Sequence, residues 1–251
     1  AQEGKTVVVA PEGVGVAEPG EKWAFIVGVN QYEDKEGIGA LHYSVADAKL
    51  IHQALTGPEI GNFASNNCVL LTDAATDASL RPTRSNILTR LAAWLKLPGP
   101  NDTVFFFFSG HGAEAGGESY LLPVDASISL VALTSVPINW IKDQLRLCRA
   151  GKKVLVTDAC HSGAGKGAEG AMGSEMNRDL FEAAEGLVSL ASCGLEEKSY
   201  EYPERGQGAF TYFLVEGLKG AADANGDGIV TASEANLYTW DKTRRWAATR
   251  G

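Results

Sequence analysis

Two short segments carry the side chains best suited to covalent chemistry. One reads Ser109-Gly110-His111-Gly112. The other reads Asp158-Ala159-Cys160-His161-Ser162-Gly163, so that Cys160 follows His111 by 49 residues. A thiol is only slightly ionised near neutral pH and the thiolate is the attacking species, so a neighbouring imidazole is what makes a cysteine a nucleophile. His111 is the expected partner: it takes the thiol proton and returns it to the amine that leaves when Cys160 attacks a peptide carbonyl. The resulting oxyanion needs backbone N–H donors. The amides of Gly112 and Cys160, expected to be free at strand ends, are the candidates. His161 is the rival base, but adjacent residues on an extended segment face opposite ways, so its expected role is structural. The bland alternative is a small buried cysteine and a satisfied core histidine. Glycine-bearing turns beside both residues favour chemistry.

These two segments must be brought together by the elements around them. Apolar runs of strand length stand at Trp23 to Val29, Cys68 to Leu71, Val104 to Phe108, Val154 to Val156 and Leu187 to Leu190. Between them lie stretches of helical period at Val45 to Leu55, Arg84 to Leu97, Ile138 to Leu147 and Phe210 to Leu218, with Ser85 and Asn139 as cap or first-turn residues. Such alternation predicts an open α/β sandwich with a mostly parallel sheet of about six strands. In such sheets the functional crevice forms outside the carboxyl ends of the strands. Both chemical segments sit there. Two loops are expected to leave the same edge: Ala113 to Ser119, and the Gly- and Ala-rich stretch Gly163 to Gly173.

Composition narrows the class further. The chain has 251 residues, 45% apolar and 21% charged, which suits one globular domain over residues 22–251 behind an N-terminal arm, residues 1–21. A net charge of −9 argues against a nucleic-acid partner or an anionic lipid surface. No apolar run is long enough to span a membrane. Four scattered cysteines make neither a disulfide framework nor a zinc site. The start, Ala1-Gln2-Glu3, leaves a soluble cytoplasmic location and a secreted or periplasmic one after signal removal both open.

With its Ser-Gly-His-Gly and Asp-x-Cys-x-Ser-Gly boxes about 50 residues apart, the sequence resembles the metacaspases and their prokaryotic relatives, the orthocaspases. Trp23 to Asn30, Leu41 to Ala48, Tyr120 to Asp125 and Gly208 to Gly217 agree as well, so the resemblance runs from residue 23 to about residue 240. It implies a caspase-type three-layer α/β/α fold and a cysteine endopeptidase working through an acyl-enzyme. It also implies a substrate-binding pocket for Arg or Lys, with Asp47 and Asp158 at the family's acidic positions. The plainer reading makes Asp47 a helix cap and Asp158 an acceptor of backbone hydrogen bonds. A basic specificity would make Lys166 and Arg178, in the 163–180 loop, candidate autocleavage points. The partners expected are polypeptides with basic residues, met by a monomer.

Residues Asp223, Asn225, Asp227, Ile229, Thr231 and Glu234 fit the ligand spacing of an EF-hand calcium loop between two helices, the second expected over Ser233 to Trp246. Hard oxygen donors suit calcium, though a lone loop of this kind also serves as a tight turn with Gly228 at positive φ. Many metacaspases use calcium at another acidic cluster, and there this chain departs, with Asn139-Trp140 where adjacent aspartates are expected. Ser44 likewise replaces a cysteine often found near Asp47. No cofactor is expected for the chemistry itself. Two other readings compete. One is a calcium-responsive scaffold or pseudo-enzyme of the same fold. The other is a clostripain-like or legumain-like peptidase, which the Asp47 segment suits less well.

Overall fold

The computed structural model describes residues 20–161, 187–192 and 200–250, with Cys160 and His161 described by their backbones alone. Its elements run β1 (Lys22–Gly28), α1 (Ser44–Thr56), β2 (Cys68–Thr72), α2 (Arg84–Trp94), β3 (Thr103–Ala115) and β4 (Glu118–Leu121). The short helix α3 (Val131–Thr134), β5 (Val136–Pro137), α4 (Ile138–Leu147), β6 (Lys152–His161) and β7 (Leu187–Ala191) follow. A two-stranded hairpin of β8 (Glu201–Tyr202) and β9 (Gln207–Gly208) then leads into α5 (Ala209–Glu216) and α6 (Ala232–Ala248).

Five strands, in the order β2-β1-β3-β6-β7, are parallel, and β4 and β5 add antiparallel to give a seven-stranded sheet. The unbroken apolar runs have the expected cause. Phe105 and Phe107 of β3 face the layer made by Ile51, Leu55, Phe210 and Leu214 of α1 and α5. Phe106 and Phe108 face Ile87, Leu91, Ile141 and Leu145 of α2 and α4. A strand covered on both sides has no polar face to alternate with. The result is the three-layer α/β/α sandwich.

Helix ends follow local chemistry. Thr83 caps α2 by accepting from the Asn86 N–H, which leaves Ser85 in the first turn. The helix stops at Trp94 instead of Leu97 because Pro98 disfavours helical dihedrals in the residue before it. Past α5 the chain makes one wide turn, Gly217–Ala221, that Gly220 exits at φ 109°.

One expectation is corrected here. Residues 113–119 are not a loop: Ala113, Glu114 and Ala115 pair with Tyr120, Ser119 and Glu118 across a two-residue turn made by Gly116 and Gly117 at φ 61° and 80°. Two glycines at positive φ match the twist of a tight hairpin. β3 therefore continues well beyond the point where its apolar run ends, and His111 lies inside a strand instead of at its tip.

Candidate active site

β1 pairs with β3 as far as Gly28–Ser109, and β4 takes over the same side of β3 from Gly112–Leu121. His111 falls in the gap between these two neighbours. Its N–H donates to the Tyr32 hydroxyl at 2.8 Å, and its carbonyl accepts from Leu122 N–H at 2.9 Å, so neither buried backbone group is orphaned. Gly110 permits this approach. A Cβ there would stand 2.9 Å from the Phe108 ring and 3.1 Å from the Tyr32 hydroxyl.

The His111 ring is 8% exposed and lies against Tyr32, with centroids 5.3 Å apart. Its Nε2 is 2.9 Å from the Gly39 carbonyl oxygen. A carbonyl only accepts, so Nε2 must carry a hydrogen, and in the neutral ring Nδ1 is then the nitrogen able to take a proton. Gly39 and Tyr32, on the segment between β1 and α1, thus set the tautomer and the position of the imidazole.

The β3–β6 register pairs His111 with Cys160. Parallel neighbours lie about 4.8 Å apart. Cys160 has the parity of Val154, Val156 and Asp158 along β6, and His111 that of Phe105, Phe107 and Ser109 along β3, which puts both on the face covered by α1 and α5. His161 pairs with Gly112 and belongs to the other face. The remaining described cysteines are poor nucleophiles: Cys148 is buried, and burial pushes the Cys68 thiol up to about 11.

Gly112 is not at a free strand end as the sequence suggested, because β3 runs on to Ala115. The bond from Leu122 N–H to the His111 carbonyl makes Gly112–Leu121 a non-hydrogen-bonded pair, so the Gly112 N–H turns toward β6.

Two residues before Cys160 lies Asp158, 4% exposed, and across from it Asp47, 2% exposed, in the first turn of α1. Asp47 accepts from the Ser109 hydroxyl at 3.2 Å and from the Gly208 N–H at 2.8 Å, while Asp158 accepts from the Thr211 hydroxyl at 2.8 Å. Asp47 is no helix cap, since the N-cap of α1 is Tyr43, which makes no side-chain cap bond. Loss of hydration raises the Asp47 pKa well above the ordinary carboxylate value; Asp158 beside it adds to the rise, and Glu201 contributes further. Glu201, on β8, holds the His42 ring Nδ1 at 3.0 Å and accepts from the His42 N–H at 3.1 Å, tying the loop before α1 to the hairpin.

The other predicted residues lie elsewhere. Asp223 accepts from Gly226 and Gly228 N–H, Asn225 from Asp227 N–H, and Asp227 from Ile229 N–H. Glu234 closes a capping box with Thr231 at the start of α6 and also accepts from Ala224 N–H. The donors are hard oxygens, as calcium requires, but no group of three His, Cys, Asp or Glu among the described residues is arranged to hold a metal. Lys166 and Arg178 lie outside the described residues. Among those described, no helix is long and apolar enough to cross a membrane.

Sequence reasoning did not assign roles to Tyr32, Gly39, Ser109, Thr211 or Gly208. Ser109 stood inside the histidine box, and Gly208 and Thr211 inside a segment noted for its resemblance. Only the backbone contribution of Gly39 had no residue-type signal at all.

The molecule is thus an open α/β sheet that presents a histidine and a cysteine at one register position near a buried acidic pair. The sequence pattern of the caspase domain matches residues 21–239, and the chain belongs to that family. Among curated proteins it is 29% identical over 157 residues to Metacaspase-1A of Aspergillus terreus, covering 57% of this chain and 36% of that protein. It is 28% identical over 239 residues to Metacaspase-1A of Neurospora crassa, covering 78% and 50%. The chain thus spans between about a third and a half of the length of these relatives. A solved structure of a Geobacter sulfurreducens protein matches the fold with a TM-score of 0.54 at 17% identity, over 79% of this chain and 82% of that one.

The raised Asp47 pKa has a consequence for stability. Between the ordinary carboxylate range and the raised value, the folded protein keeps a proton that the unfolded chain releases, so stability falls as pH rises through that window. Asp47→Asn preserves the shape, with Oδ1 still accepting from the Gly208 N–H and Nδ2 donating to the Ser109 hydroxyl oxygen, but removes this titration. Thermal melts should show the variant above wild type at about pH 8, with the gap shrinking toward about pH 4. A gap that widens on acidification would contradict the burial argument.

Proposed function

We propose that this chain is a cysteine endopeptidase that cuts polypeptides after Arg or Lys. The observation that carries the reading is the buried pair Asp47 and Asp158 on the same sheet face as His111 and Cys160, with Asp158 two residues, or about 6.6 Å of strand, from Cys160. Two carboxylates removed from water are costly unless a cation compensates them, and a guanidinium or ammonium does so with charge-assisted hydrogen bonds. The family and the metacaspase relatives support the same chemistry.

In this mechanism His111 Nδ1 takes the Cys160 thiol proton. The thiolate adds to the carbonyl carbon of the basic residue, and the oxyanion is assigned to the N–H groups of Gly112 and Cys160, which must leave the β3–β6 ladder to meet it. The C–N bond breaks as His111 protonates the departing amine, which leaves a thioester on Cys160. Water, deprotonated by the same imidazole, then hydrolyses the thioester and restores the thiol. The Gly39 carbonyl keeps Nε2 engaged, so one nitrogen of the ring serves every transfer. The protein is read as working as a monomer, and its net charge of −9 suits basic substrates.

Matched peptides ending in Arg, Lys or Asp before the scissile bond should be cut after Arg or Lys by wild type and not at all by Cys160→Ala; preference for Asp would reject the pocket assignment. A thiol-reactive peptide with a basic terminal residue should label Cys160, which a scaffold without peptidase activity would not allow.

Self-processing follows from the same specificity. N-terminal sequencing of incubated protein should find new ends after Lys166 or Arg178 in wild type and none in Cys160→Ala, and equal fragments in both would assign the cuts to another protease.

The loop 223–234 is proposed as a calcium site on the chemistry of its donors: side-chain oxygens of Asp223, Asn225, Asp227, Thr231 and Glu234 and the carbonyl of Ile229. Calcium would supply a positive charge that binds the loop carboxylates together and fixes the start of α6. Calorimetric titration with calcium should give binding heat with wild type and none with Asp223→Ala/Glu234→Ala; identical heats for both would remove the site.

A further inference from the structure

We propose that Gly208 is a specificity-determining residue, because the absence of a side chain at this position is what leaves Asp47 and Asp158 jointly open to a substrate cation. The inference rests on the Arg or Lys reading above and assigns a residue outside the dyad and the acidic pair.

The backbone does not demand glycine here. Gly208 has φ −68° and ψ 140°, ordinary extended values that any L-residue adopts. Nor does a neighbouring main chain crowd it. The three nearest atoms to a Cβ built on Gly208 all belong to the acidic pair: Asp47 Oδ2 at 2.8 Å, Asp158 Oδ2 at 3.0 Å and Asp47 Cγ at 3.5 Å. A methyl group at this point would lie against both carboxylates at once, in the space between the hairpin and the acidic pair.

Those carboxylates are poorly placed to move aside. Asp47 is held by Ser109 and by the N–H of Gly208 itself, and Asp158 by Thr211. Shifting them to admit a methyl would spoil the geometry that lets two anions share one cation. Gly208 therefore acts twice, as a donor that anchors Asp47 and as an opening onto the pair. A side chain there would oppose basic residues while leaving the His111–Cys160 register, which belongs to the main sheet and not to the hairpin, as it is.

The test compares wild type and Gly208→Ala on peptides ending in Arg, Lys or citrulline, the neutral shape analogue of Arg, alongside the rate at which iodoacetamide alkylates Cys160. For Gly208→Ala, kcat/KM toward Arg should fall about 100-fold, carried by KM, and the preference for Arg over citrulline should be lost. Alkylation, which does not use the pocket, should keep its wild-type rate. Retained Arg selectivity in Gly208→Ala overturns the proposal, and so does a parallel loss of Arg cleavage, citrulline cleavage and alkylation, which marks a merely structural role. Wild type with no preference for Arg or Lys over citrulline overturns the pocket reading itself, so the two failures are distinguishable. Should Gly208→Ala not fold, Asp47→Ala and Asp47→Ala/Gly208→Ala provide the comparison with the nearer carboxylate gone. The added methyl should still lower the ratio of Arg to citrulline cleavage through Asp158, and an unchanged ratio overturns the proposal.

Discussion

Everything at the site depends on the register of one parallel ladder, ten residue pairs from Thr103–Lys152 to Gly112–His161. A slip of one residue would turn either the histidine or the cysteine to the opposite face of the sheet. The ladder is held by what lies on both sides of it. Phe105 and Phe107 are fixed under one helical layer and Phe106 and Phe108 under the other, so β3 cannot slide without moving large rings out of two cores at once. The same strand must run past the end of β1 to carry His111, which exposes a backbone N–H in the interior. The Tyr32 hydroxyl closes that gap. A strand core of four successive phenylalanines and a single tyrosine hydroxyl thus answer the same requirement from opposite ends.

The acidic pair works against this stability. Burial penalises ionised carboxylates, and two of them side by side penalise each other. Hydroxyls from Ser109 and Thr211 and the Gly208 amide offset part of the cost. A sequence selected for stability alone would place apolar residues there. Local departures from that rule mark places where function is maintained at the expense of the fold, and the pair stands on the same sheet face as the two residues best suited to nucleophilic chemistry.

Much of this was legible in the sequence, for definite reasons. Apolar runs that do not alternate required a sheet covered on both faces, and a histidine and a cysteine that end two such runs had to meet at one edge of it. Asp47 and Asp158 were named only through the resemblance to the metacaspases, whose acidic positions they match. The hairpin at residues 113–121 was missed because Gly116-Gly117 was weighed as loop composition, not as the turn that lets a strand fold back on itself. The helix 84–97 was drawn too long because apolar period alone ignores the restriction set by Pro98. Tyr32 and Gly39 were not assigned roles, Tyr32 in spite of its hydroxyl and Gly39 for want of any side-chain signal. One acts through a hydroxyl placed by tertiary packing and the other through a carbonyl that every residue possesses.

The hairpin that carries Gly208 has two residues in each strand and cannot hold its own position. Aromatic contacts with both C-terminal helices help to set its place. Tyr202 lies 5.4 Å from the Tyr212 ring and 4.7 Å from Trp246, and the Arg250 guanidinium stands 4.9 Å from the Trp246 centroid and bonds to Glu204 of the hairpin turn. Trp246 in turn is aligned by a helix whose first turn is fixed by the Thr231–Glu234 capping box. The hairpin beside the acidic pair is therefore steadied in part from the far end of the chain, through stacked rings. The last helix thus adds to two other constraints on the Gly208 amide, the bonds from Glu201 to His42 and the direct continuation of the hairpin into the buried helix α5.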